Sequence, residues 1–91
     1  MENLDNLREK IDKIDKKMIS LFEERMCAAK EIGRYKIKNN LPVLNEKREE
    51  IVLENCVNNL EDKNMEKYVK EFMKSVMKIS KDYQKDISKD R

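Results

Sequence analysis

Histidine and tryptophan are absent from this chain, glycine and proline occur once each, and aromatic residues make up only 5% of it. Without histidine, any chemistry that needs an imidazole as acid, base or nucleophile is excluded. The two cysteines, Cys27 and Cys56, stand alone in helical patterns, as reduced, packed thiols would, and neither a disulfide framework nor a transition-metal site is expected. No cofactor is called for. No run of residues approaches the apolar length of a membrane span, and the opening MENLDNLREK lacks the basic and apolar regions of a signal peptide, so the expectation is a cytoplasmic protein away from membranes. A surplus of charge is missing too. Lysine and arginine number 21 against 19 acidic residues, and a net charge of +2 does not argue for nucleic acid. Any anion would have to be held locally.

What is present is helix-forming. Glu, Lys, Leu and Met dominate, and β-branched runs are few, which reads as all-α. The punctuation predicts three helices in a single domain covering residues 1–91. The first runs from about 4 to 38 and is ended by Asn39, Asn40 and Pro42. The second, about 46 to 60, is capped by Asn45. The third spans about 65 to 87. A first helix of this length measures about 50 Å, whereas a compact globule of this size is only about 30 Å across. With 38% hydrophobic residues the chain is also short of core. Both points predict a homodimer in which two long helices pack antiparallel.

The apolar stripes of these helices carry polar intrusions. On the first helix Leu4, Leu7, Ile11, Ile14, Met18, Leu21, Arg25, Ala28, Ile32 and Tyr35 follow alternating steps of three and four. Nine of these ten residues can be buried; a guanidinium is rarely taken out of water without an anion to meet it. On the second helix Glu49 shares the stripe of Leu53, Cys56 and Leu60, with Arg48 beside it. On the third, Ser80 and Gln84 continue the stripe of Val69, Met73 and Val76. Arg25 and Lys36 project from nearly one face about 16 Å apart, close enough for long side chains to converge on a small anion. Arg8 lies about 25 Å from Arg25 along the helix, so it reaches the same anion only from a second subunit. Each intrusion alone also suits a bland role: a register-setting arginine, a solvated Arg48–Glu49 pair, an exposed helix edge. The residues leave two readings open, an internal anion site and a plain helical assembly module.

The run LREKIDKIDKKMISLFEERMCAAKEIGRYK, followed by PVLNEKREE and by SKDYQ, resembles the small all-helical chorismate mutases of the AroQ class over residues 4 to about 87. The resemblance implies an intertwined homodimer of three-helix subunits and the Claisen rearrangement of chorismate to prephenate, on the route to phenylalanine and tyrosine. By matching motif, Arg25 and the partner's Arg8 hold the two substrate carboxylates, and Arg48 assists at one of them. Lys36 and Gln84 meet the ether oxygen, Glu49 accepts from the ring hydroxyl, and Ser80 completes the carboxylate end. Asn45 stands where many members carry aspartate, so its helix-capping role is expected to survive while a charged contact to the hydroxyl is lost. A unimolecular rearrangement needs no nucleophile, metal, cofactor or proton shuttle, which suits a chain without histidine.

Two neighbouring functions share this pattern. An isochorismate pyruvate lyase resembles the mutases closely but has an apolar residue at the position of Glu49. A non-catalytic dimerisation or regulatory module, fused to or bound by another shikimate-pathway enzyme, would keep the helices without needing the polar set. A helical nucleic-acid binder would need a recognition helix, and none stands out among the interspersed charges.

Overall fold

The computed structural model describes residues 3–89. It is all-helical, with no strand among the described residues. Helix α1 spans Leu4–Lys38, α2 spans Glu46–Asn58 and α3 spans Glu66–Lys89, the last entered through a 3₁₀ turn at Lys63–Met65. Asn39, Asn40 and Pro42 lie between α1 and α2 as predicted, but α2 ends two residues earlier than expected, where Asn59 takes the C-cap.

Local chemistry sets each boundary. Asn3 accepts from the Asn6 amide at 2.9 Å and starts α1; Asn45 accepts from the Arg48 amide at 3.0 Å and starts α2; Asp62 accepts from Asn64 and starts the 3₁₀ turn. At the end of α1, Asn40 adopts φ 55°, the left-handed conformation. Its amide returns to Ile37 O at 3.3 Å and the Leu41 amide to Lys36 O at 2.8 Å, which together close the last turn. Glycine is the residue best suited to that conformation. Asn40→Gly is therefore expected to raise stability by about 0.5 kcal/mol, visible as a small rise in Tm, and Asn40→Val to lower it by more than that gain.

α3 is the spine of the chain and packs against both α1 and α2. The face that α1 offers to it is not the periodic apolar stripe. It is the small-residue face carrying Ala29 and Gly33, the two buried residues of α1. Opposite them on α3 lie Val76, Met77, Ser80 and Gln84, also buried. Gly33 is a genuine close approach, because a Cβ added there would stand 3.1 Å from Gln84 Cγ and 3.4 Å from its Cβ. Gly33→Ala exchanges about 1 kcal/mol of helix propensity gained for a displaced Gln84. The expected outcome is a Tm close to wild type with a several-fold lower kcat, and a comparison of the two readouts checks it.

Apart from Arg25, the periodic stripe of α1 finds no cover within this chain. Every residue from Asn3 to Glu24 is exposed, and so are Ile32 and Tyr35 further along. Ile14 keeps 50% of its surface and Leu21 keeps 62%. The chain measures 57 × 27 × 15 Å with a radius of gyration of 16.4 Å, against about 12 Å for a compact globule of this length. A thickness of 15 Å is little more than one helix, and one layer of helices cannot enclose a core. No helix among the described residues is long and apolar enough to cross a membrane. Cys27 and Cys56 are free thiols; Cys56 is half-buried, but Cys27 is exposed, contrary to the expected packing, because it lies off both the α3-facing surface and the stripe.

Candidate functional site

A cleft of about 290 Å³ opens where the C-terminal half of α1, the start of α2 and the last turns of α3 meet. This is the lower end of the size range for small-molecule sites. Seven of the eight residues singled out in the sequence line it. Arg25 and Lys36 come from α1, Asn45, Arg48 and Glu49 from the start of α2, and Ser80 and Gln84 from α3. The eighth, Arg8, lies in the uncovered half of α1 and does not reach the cleft of its own chain. Ala28, Ile32 and Val52 supply apolar wall between the polar groups.

The polar groups are held rather than loose. An Arg25 guanidinium nitrogen donates to Ser80 Oγ, and that hydroxyl donates in turn to Val76 O at 3.0 Å, so the serine passes its proton back to its own helix and leaves a lone pair for the arginine. Gln84 Nε2 donates to Ala29 O at 2.9 Å, 55 residues away in sequence, across the gap that Gly33 leaves open. Lys36 Nζ donates to Val43 O at 2.7 Å and ties the connection between α1 and α2 over the end of the cleft. Asn45 spends its side-chain oxygen on the α2 cap. Among the described side chains no buried polar atom lacks a partner.

Electrostatically the cleft carries Arg25, Lys36, Arg48 and Lys81 against the carboxylate of Glu49. Charges gathered around one concavity focus their field on a ligand there more than the same charges spread over open surface. On the exposed flank of α3 a hydrogen bond to Asp82 raises the Lys78 ammonium, and the same bond lowers the Asp82 carboxyl. Among the described residues no cluster of Asp, Glu or Cys is arranged to hold a metal ion.

Two features of the cleft escape the sequence patterns. Lys81 lines it and meets Glu49 Oε2 at 2.8 Å. In a chain so rich in lysine nothing marked this one, except that Glu49 has no cation three or four positions away on its own helix. Gln84 is also anchored to the backbone of α1, a contact with no periodic signature because alanine and glycine make it possible.

Such an arrangement, with cations, an amide, a hydroxyl and one carboxylate converging from three helices, makes a cleft of net positive charge that suits a small anion. The chain belongs to the chorismate mutase type II family, whose sequence model matches residues 7–85. It is 44% identical over 54 residues to a bifunctional chorismate mutase/prephenate dehydratase of Aquifex aeolicus (strain VF5), a match covering 59% of this chain and 15% of that protein. It is 37% identical over 51 residues to a protein of the same description from Enterobacter agglomerans, covering 56% of this chain and 13% of that one. The chain thus spans only a small part of the length of these relatives. No solved structure gives a significant match.

Proposed function

We propose that this protein is a chorismate mutase that rearranges chorismate to prephenate in the cytoplasm, acting as an intertwined homodimer with two clefts. The observation that carries the reading is the meeting of Arg25, Lys36, Arg48, Ser80 and Gln84 in one concavity, in a chain of the chorismate mutase type II family.

The substrate is a flexible dianion that reacts only when its two ends are brought together. Arg25 uses one of its donors on Ser80, and a guanidinium has five, so a fork remains for one carboxylate. The second carboxylate falls to Arg8 of an antiparallel partner, whose uncovered seam would close the cleft, with Arg48 assisting. Clamping both ends converts a search through conformers into a positioned reaction, an effect worth several orders of magnitude in rate. As the C–O bond breaks, the ether oxygen gains negative charge. Lys36 and Gln84 each have a donor beyond the one used within the chain, and a preorganised ammonium and amide aimed there stabilise the transition state more than the ground state. Glu49 accepts from the ring hydroxyl, and Asn45 sits at the mouth as the α2 cap.

Dimerisation has its own physical support. The apolar stripe of α1 repeats every 3.5 residues, the period of helices that supercoil about a partner. The bifunctional relatives support a further element: this domain works beside another enzyme of aromatic amino acid biosynthesis, as a fused unit or in a complex. Spectroscopic loss of chorismate with purified protein tests the activity, with pyruvate release from isochorismate as the control for the lyase; absence of the first, or the second as the main reaction, removes the reading.

A further inference from the structure

Glu49 is a conspicuous element in a cleft for a dianion, because an uncompensated carboxylate would repel the ligand that its neighbours attract. Its own helix offers no relief. The residues three and four positions away are Asn45, Glu46, Val52 and Leu53, and Arg48, one position away, points about 100° around the helix. Lys81 is in the mirror situation on α3, where Met77, Lys78, Gln84 and Lys85 hold the corresponding positions and none is acidic. The two charges find each other across the α2–α3 contact: Lys81 Nζ lies 2.8 Å from Glu49 Oε2, with side chains 28% and 27% exposed. The pairs Lys70–Glu66 and Lys78–Asp82, by contrast, each run along one turn of α3 and keep 45% to 74% of their side-chain surface. An ion pair that bridges two helices and lines the cleft is screened less than those and restricts how Glu49 can turn.

We infer that Lys81 is a positioning residue for the reaction: through its ion pair with Oε2 it holds the Glu49 carboxylate toward the substrate hydroxyl, and it offsets the charge that would otherwise repel the dianion. A single ammonium leaves the carboxylate's other acceptor positions for the substrate. The inference rests on the reading of this cleft as the chorismate site and adds to it a residue outside the eight polar positions read from the sequence.

Steady-state kinetics on chorismate with the full chain test it, comparing wild type, Lys81→Met, Lys81→Arg, Glu49→Gln and the double variant Lys81→Met/Glu49→Gln. Expected is a rise in KM of about tenfold for Lys81→Met with kcat changed by no more than about threefold, the pattern of lost binding common to ground and transition states. Lys81→Arg restores most of the difference. In the Glu49→Gln background Lys81→Met changes KM by less than about twofold, because a residue that acts through another loses its effect when that other is gone. An unaltered KM, or the same rise in both backgrounds, overturns the inference. Lys81→Gln replaces Lys81→Met should the latter fail to give the helical circular dichroism of wild type. A wild type inactive on chorismate removes the functional reading and this one together, whereas failure confined to the Lys81 comparison removes this one alone.

Discussion

Arg25→Ala is expected to lower kcat/KM for chorismate by roughly 10²–10³-fold while leaving the thermal transition within a few degrees of wild type. The asymmetry follows from what Arg25 touches. Within the chain it donates to Ser80 and borders Ala28 and Ile32 on the same seam. Ser80 keeps its bond to Val76 O when the guanidinium is removed, so the folded chain loses little. On the proposed reading the bound substrate would lose far more, since a carboxylate would be left in the cleft without its planar fork. Arg25→Lys should recover part of the loss, because an ammonium supplies charge but not two parallel donors. A complementation experiment checks the partner's contribution at the same time. Arg8→Ala and Arg25→Ala should each be nearly inactive alone; if the protein is the proposed dimer, unfolding and refolding them together would make about half of the dimers hybrids with one intact cleft, so the mixture should regain about a quarter of wild-type activity. No recovery on mixing would place Arg8 outside the site.

The second large effect is expected at Ile14→Glu, in the middle of the apolar stripe and half exposed in the single chain. If two stripes face each other antiparallel, each dimer receives the carboxylate twice, in a mostly apolar seam. Sedimentation should show loss of the dimer, with the melting transition lowered by about 10 °C or more. Activity should fall with assembly, because the cleft loses its covering helix and Arg8 together. Lys16→Glu, on the far face of the same helix, should leave both readouts unchanged. A dimer that survives Ile14→Glu would mean the stripe is covered by something else.

How far each feature was legible in the sequence depends on its range. The extent of α1 was readable from its apolar period and from Asn39, Asn40 and Pro42 after it, whereas the Asn3 cap that starts it was not read from the sequence. The kinship of Arg25 with Lys36 was readable as well, because a helix is a rigid ruler and eleven residues along it fix both angle and rise. Asn45 was recognisable as a cap by its type and place, and the structure shows the bond. The end of α2 was less legible, because Asn58, Asn59 and Leu60 offer several comparable stops and the choice among them costs little.

By itself, then, the amino-acid sequence determined the helices, their apolar period, the polar residues set into it and the shortage of core that one thin layer leaves. The tertiary structure decided which face of α1 meets α3, and so the Ala29–Gly33 approach, the bond from Gln84 to Ala29 O and the pairing of Glu49 with Lys81. The physical reason is that a period records only which way a residue points on its own helix. The rotation of one helix against another is set by how small and large side chains fit across an interface built from residues more than thirty apart in sequence, and alanine and glycine, which govern that fit here, leave almost no mark on the pattern.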